Sequence, residues 1–291
     1  MRVAVFGATG TIGGPLLPLL AQEHEVVGIS RRGREDEDGV EWRQADASDT
    51  ASVREALVDV EAAYYLVHSL GRADFEERDL RAADTIAAEA ERAGVRQLIY
   101  LGGLGDDDAE LSPHLRSRIE TGRRLEEGAV PVTTLRAAIV VGPGSAAFET
   151  VVALVDRLPA MVCPRWVGVR TQPIALRDTL AYLAGVCGRD ETLGRSFDIG
   201  GPEVMTYREM IERIAAIRGK HPLIVEVPFL TPRLSSYWLH LVTPVKAAVA
   251  RPLIEGLRSP TVAREHEITE VVRLEGTPFD EAAKLALDGE I

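Results

Sequence analysis

The chain has 291 residues, 46% of them hydrophobic, which is enough to bury a substantial core. Acidic side chains outnumber basic ones by 45 to 33, for a net charge of -12, so no basic stripe exists to neutralise phosphates and a nucleic-acid partner is excluded. The two cysteines, Cys163 and Cys187, lack C-x-x-C spacing and His neighbours, so no metal site is expected and a reducing cytoplasm fits.

The acidic runs at residues 35–38 (EDED) and 106–110 (DDDAE) read as solvated loops rather than metal ligands. A core strand begins at Arg2, leaving no room for a signal peptide. No apolar run approaches the roughly 20 residues that span a bilayer.

Residues 2–6 (RVAVF) suit a buried parallel strand. Gly7, Gly10 and Gly13 follow at G-x-x-G-x-x-G spacing, and a helix is expected over residues 11–22, with Pro18 inside it. A strand that turns sharply, admits a pyrophosphate and starts a helix toward that anion needs glycines at these points. The segment Gly7, Thr9, Gly10, Thr11, Ile12 and Gly13 is therefore the first candidate for binding a dinucleotide. The alternative is a plain glycine-rich turn.

The second strand, residues 25–29, ends in Ser30, Arg31 and Arg32. An acidic residue here would bind ribose hydroxyls, whereas arginine accommodates a 2′-phosphate. The spacing therefore favours NADP(H) and leaves NAD(H) possible; the bland reading is a solvated basic turn. The third strand, residues 40–45, is followed by Asp46 and Ala47, with Asp46 a candidate for the adenine amino group or a cap for a helix at residues 50–57. The fourth strand, residues 62–67, ends in His68 and Ser69, where ligands meet open α/β sheets.

A D-x-x-E pattern, Asp74 to Glu77, predicts a capping box for the next helix, with Leu80, Ala83, Ile86, Ala87 and Ala90 on one apolar face and Gly94 as its stop. The fifth strand, residues 96–101, leads to Gly102 and Gly103, and Ser112-Pro113 opens a helix carrying His114 and Arg118. A sixth strand is expected over residues 132–141. Beyond residue 145 the alternation loosens, with helices expected at 146–158, 178–187 and 207–218 and strands at 171–174 and 196–199. The segment 225–252, with Phe229, Tyr237 and Trp238, suits the lining of an apolar substrate pocket, a partner surface or a membrane-peripheral contact; the pocket is preferred.

With these features in place, the chain resembles the short-chain dehydrogenase/reductase superfamily, in its extended or atypical branch. It is similar there to NmrA-like proteins and to the accessory NAD(P)-binding subunit of respiratory complex I. LRAAIVVGPG (135–144), TQPIALRDTLAYL (171–183) and FDIGGPEVMTYREM (197–210) resemble that branch in the usual order. YYLVHS (64–69), YLGGLGDDDAELSPHLRSR (100–118) and LTPRLSSYW (230–238) resemble a bacterial NmrA-type group that often carries a further C-terminal domain, which is expected to be absent here. The resemblance covers roughly residues 1–260.

The superfamily's usual active site has a Ser after the fifth strand and Tyr-x-x-x-Lys on the next helix. Here Gly102 and Gly103 stand at the Ser, His114 at the Tyr and Arg118 at the Lys, so all three usual groups are missing. Two readings follow. In one, His114 is the acid/base, Arg118 holds the ribose or phosphate, the two glycines offer backbone N–H groups, and His68 assists. In the other, hydride chemistry is lost and the protein binds NADP(H) for sensing, assembly or regulation.

The resemblance implies an α/β fold, a Rossmann-type doubly wound parallel sheet with a smaller C-terminal substrate lobe. Residues 1–145 would bind NAD(P), and residues 146–291 would complete the sheet and form the lobe. The expected partner is a small molecule, a carbonyl, quinone or enone.

Overall fold

In the computed structural model, which describes residues 1–68, 74–105, 112–227 and 259–291, the first strand is covered from both sides. In β1 (Arg2–Phe6), Val3 and Val5 join one core while Ala4 and Phe6 join another on the opposite face. That period of two, buried on both sides, is why the strand reads as a continuous apolar run. Leu16, Leu17 and Leu20 of α1 (Gly13–Leu20) cover the first face.

The chain then alternates through β2 (Glu25–Ser30), β3 (Val40–Gln44), α2 (Thr50–Ala56), β4 (Ala62–Tyr65), α3 (Phe75–Ala93), β5 (Gln97–Gly103), α4 (Pro113–Glu126) and β6 (Val132–Ala137). Helices α2, α3 and α4 place Val53, Ala83, Ile86 and Leu125 on the second face, against Phe6, Ile29, Tyr65 and Tyr100. Val53, Ile86 and Leu125 each contribute about 1.5–3 kcal/mol when fully buried. The helix ends follow local chemistry. Ser112 caps α4 by accepting from Leu115 N at 3.2 Å, with Pro113 at the first helical position. Gly94, at φ 73°, ends α3.

Beyond β6 the elements shorten: β7 (Val140–Val141), α5 (Ala146–Arg157), β8 (Ala160–Pro164), β9 (Arg170–Thr171), β10 (Ile174–Ala175), α6 (Leu176–Gly185), β11 (Ser196–Ile199), β12 (Met205–Thr206), α7 (Tyr207–Ile217) and β13 (Leu223–Val227). Two helices, Ile268–Val271 and Phe279–Asp288, follow. The main sheet has seven parallel strands in the order β11-β6-β5-β4-β1-β2-β3. Its direction of winding reverses between β1 and β4, which opens a crevice at their carboxyl ends.

The smaller lobe has its own core, in which Phe148 and Val155 of α5 meet Met210 and Ile214 of α7 and Phe279 of the last helix. Helix α6 instead lays Leu180 and Leu183 on the main sheet beside α1. At the opposite end of the sheet from the crevice, Gln97 opens β5 and forms a buried hub. Its Nε2 donates to Val186 O at 3.0 Å and Thr133 Oγ1 at 2.9 Å, while its Oε1 accepts from Gly188 N at 2.8 Å.

Several expectations are corrected. The sixth strand breaks at residues 138–139, because the chain leaves β5 after Ala137 and pairs β7 with β10. The strand expected at 171–174 is two short pieces in different sheets, and the following helix starts at Leu176. Asp74 stands at the N-cap of α3 without a side-chain capping bond, so the predicted capping box is not formed there. A complete one occurs at Thr206 and Glu209, opening α7. Asp49, not Asp46, caps α2, accepting from Ser52 N at 3.0 Å. Ser69, the acidic run at 106–110 and the apolar stretch with Phe229, Tyr237 and Trp238 lie outside the described residues. No helix among the described residues is long and apolar enough to cross a membrane.

Candidate functional site

The glycine loop leaves β1 at the crevice. Gly7 adopts φ +88°, and a Cβ there would lie 2.8 Å from Leu66 O, beyond β4. Gly10 N donates to Gly7 O at 2.9 Å, closing the turn. A Cβ on Gly13 would lie 2.2 Å from Gly7 O, so α1 starts in direct contact with the loop. Thr11 Oγ1 donates to Gly144 O at 3.1 Å, tying the loop to the segment after β7.

Two clefts open from this loop. The first, about 390 Å³, runs over the ends of β1, β2 and β3 and includes Gly7, Thr9, Gly10, Arg31, Asp46, Ala47, His68 and Arg78. Asp46 Oδ1 accepts from Ser48 Oγ at 2.6 Å and Ser48 N at 3.0 Å. Those bonds, and more weakly Arg78 and Arg31, hold its carboxyl below the usual carboxylate range. Arg32, predicted beside Arg31, is not among the lining residues. Its carbonyl accepts from Ser30 Oγ and its side chain is exposed. Arg78, from α3, supplies a second cation that the sequence reading missed.

The second cleft, about 450 Å³ and mostly apolar, lies between the main sheet and the lobe. Thr11, Ile12 and Gly13 border it, with His68, Gly102, Gly103, His114 and Arg118, and the lobe adds Ile139, Ala146 and Tyr207. Gly7, Gly10, Leu66 and His68 line both clefts, so the two are continuous across the ends of β1 and β4.

The polar centre sits at that junction. His68 Nδ1 donates to Asp79 Oδ2 at 2.6 Å, and His68 Nε2 lies 3.0 Å from His114 Nδ1. Asp79, on α3, is only 2% exposed. Burial, with the charge of Arg118 and the neighbouring His68, pushes the His114 pKa down to about 2. His114 is therefore a neutral imidazole across the ordinary pH range.

Arg118 turns its guanidinium onto the carbonyl of Leu101, and its own carbonyl accepts from Tyr100 OH at 2.9 Å. Gly102 and Gly103 close β5, in register with Arg136 and Ala137. A Cβ on Gly103 would lie 2.5 Å from Leu115 Cδ1, so glycine there lets α4 approach and brings His114 to the junction.

Asp79 was not anticipated, although a signal existed. It stands four residues from both Phe75 and Ala83 on the buried face of α3, an acid in an apolar stripe. Tyr207 and Ile139 carried no such mark.

The site fits a dinucleotide. Its glycine cradle would be filled by any Cβ, its first cleft carries two arginines and one carboxylate, and its second is apolar. Residues 7–130 match a family described as NAD(P)H-binding. Among curated proteins, the chain is 23% identical over 240 residues to the NADH dehydrogenase [ubiquinone] 1 alpha subcomplex subunit 9 of Arabidopsis thaliana. That match covers 77% of this chain and 60% of the mitochondrial protein, so the chain spans less than two thirds of that relative. It is also 27% identical over 229 residues to the (4-alkanoyl-5-oxo-2,5-dihydrofuran-3-yl)methyl phosphate reductase of Streptomyces griseus, covering 75% of this chain and 74% of the other.

Among solved structures, the NADPH-dependent quinone oxidoreductase of Escherichia coli, in complex with NADPH, superposes with a TM-score of 0.76. Identity is 19%, and 99% of each chain is covered, a likeness of fold. The chain thus has an NAD(P)-binding Rossmann-type fold with a pocket consistent with NAD(P)(H) as its cofactor.

Proposed function

We propose that this protein is an NADPH-dependent oxidoreductase that reduces a small apolar carbonyl, quinone or enone, within the NmrA-like group of short-chain dehydrogenase/reductases. The observation that carries the reading is the junction at His68, where a cleft bearing Arg31 and Arg78 runs into an apolar cleft bordered by His114. Residues 1–145 hold the nucleotide; residues 146–291 complete the sheet and cover the substrate.

In this reading the Gly7–Gly13 loop takes the pyrophosphate, Arg31 and Arg78 take the 2′-phosphate, and Asp46 faces adenine. NADPH, when bound, supplies a hydride to the electrophilic carbon of the substrate. Tyr207 and Ile139 line the second cleft, and His114, a neutral imidazole, donates a hydrogen bond to the substrate oxygen, which takes its proton from solvent. Arg118, committed to the Leu101 carbonyl, positions the end of β5 and adds to the burial that keeps His114 uncharged.

A second reading, NADP(H) binding without turnover, is favoured by the missing Ser, Tyr and Lys and by that engagement of Arg118. The test is a titration with NADPH and NADH, followed by a screen of quinones, enones and aldehydes. Preference for NADPH with His114-dependent turnover supports the enzyme. Tight NADPH binding with no turnover on any class supports the sensor or regulator.

A further inference from the structure

Two adjacent arginines follow β2, yet only Arg31 borders the first cleft. Within the strand, Val27 and Ile29 face the core under α2 and α3, whereas Val26 faces the other core. Carried past Ser30, that alternation would send Arg31 to the side of α3, which supplies Arg78, and Arg32 to the opposite side. A strand's period does not bind a turn, however, and the ladder stops here. Ser30 is the last residue of β2 in register, paired with Gln44, and Ala45 N donates to Ser30 O at 3.0 Å. Arg31 keeps its side only if the turn backbone is held by other means.

Two side chains hold it. Gln44 Nε2 donates to the Arg31 carbonyl at 3.1 Å, and Ser30 Oγ donates to the Arg32 carbonyl. A Cβ on Gly33 would lie 3.6 Å from Gln44 Oε1, so the turn wraps around that amide. Gln44 is not among the residues that line the cleft. It shares the parity of Val40 and Trp42, which pack on the core away from α3. Farther along, the Arg34 guanidinium stacks 4.5 Å from the Trp42 ring centre, and Asp36 Oδ1 accepts from Trp42 N at 2.7 Å. Those contacts draw the chain back along β3, so the turn is pinned at both ends.

We propose that Gln44 is a positioning residue for nucleotide selectivity: by holding the Arg31 carbonyl from outside the cleft, it aims the Arg31 guanidinium at the 2′-phosphate of NADPH. The inference rests on the reading that places the 2′-phosphate at Arg31 and Arg78. An arginine side chain has many rotamers to lose, and a fixed backbone origin lessens the ordering that binding demands. NADH carries a hydroxyl where NADPH carries the phosphate, so it gains little from the guanidinium. Gln44 therefore adds to the affinity for NADPH and not to that for NADH.

The experiment is a double-mutant cycle on the full chain, with Gln44→Met, Arg31→Ala and the pair, each titrated with NADPH and NADH by nucleotide fluorescence. No turnover is needed. Methionine keeps the length of the side chain and removes the amide donor. Gln44→Met should weaken NADPH by about three- to tenfold, the range of one neutral hydrogen bond, and leave NADH nearly unchanged. In the Arg31→Ala background the same substitution should have little effect on NADPH, because the turn then presents no guanidinium.

Equal weakening of both nucleotides, no weakening of NADPH, or an additive cycle overturns the proposal. With Arg31→Ala alone discriminating against NADPH, those outcomes leave the 2′-phosphate assignment standing. If Arg31→Ala treats both nucleotides alike, that assignment fails and the role of Gln44 fails with it. Gln44 is exposed on the edge strand of the sheet, where substitutions are well tolerated. Should Gln44→Met nonetheless not fold, Gln44→Thr, which suits a strand, takes its place in the same cycle.

Discussion

A Cβ built on Gly13 would lie 2.2 Å from the carbonyl oxygen of Gly7, so the first helix rests on the loop it follows with no room for a methyl group. Backbone, not a movable side chain, is in the way. Gly13→Ala should therefore lower stability by about 1–3 kcal/mol, the usual cost of overpacking, and abolish NADPH binding. Gly10→Ala, whose Cβ would meet the same oxygen at 3.2 Å, should be milder in thermal unfolding. Equal effects of the two substitutions would contradict the packing argument.

The adjacent arginines after β2 should separate experimentally. Arg31 borders the first cleft with Arg78, whereas Arg32 does not. Loss of a hydrogen bond to a charged group costs about 1.5–3 kcal/mol, so Arg31→Ala or Arg78→Ala should weaken NADPH by about tenfold or more. NADH, lacking the 2′-phosphate, should change far less, and Arg32→Ala should leave both nucleotides nearly untouched. Fluorescence titration of the three variants distinguishes these outcomes.

Acid stability carries the signature of His114. The unfolded chain protonates this residue near its ordinary value of about 6.5, while the folded chain resists until about 2. Between those limits the unfolded state holds the extra proton, so His114 lowers stability as pH falls below about 6.5 and has no such effect above it. Urea midpoints at about pH 5 and about pH 7.5 should therefore differ less in His114→Gln than in the wild type. An unchanged difference would mean that His114 does not resist protonation.

Gln97 serves structure alone. Gln97→Leu would leave the Gly188 N–H and the Val186 carbonyl without their present partner in a buried setting. The expected loss is about 1–3 kcal/mol, read as a lower unfolding temperature. Binding of NADPH to the folded fraction should be unaffected, because the two clefts lie at the other end of β5.

The sequence was most readable where the sheet is covered on both faces. Strands β1 to β5 appear as apolar runs between glycines and caps, and their order along the chain matches the reading closely. The lobe was less readable because its strands are as short as two residues and pair far along the chain, as β8 does with β13. At the site, the glycine loop, Arg31, Asp46 and His68, read from motifs and strand ends, and His114, read from the family resemblance, all border the two clefts. Spacing along the chain did not separate Arg31 from Arg32, because it carries no information on which way a turn presents each side chain. Arg78 and Asp79 reach the site from a helix whose sequence looks like an ordinary amphipathic one, and only the acid on its apolar stripe gives it away.

Strand β5 begins at the Gln97 hub and ends at Gly102 and Gly103 beside His114, so one short strand carries an anchor at one end and a border of the second cleft at the other. For anyone redesigning this protein, those ends are separate handles. Hardening the anchor end, by consensus or packing changes around residues 186–192, builds tolerance to heat without altering the shape of the cleft. The margin so gained can absorb disruptive substitutions at Ile139, Ala146 or Tyr207 when a new substrate is wanted.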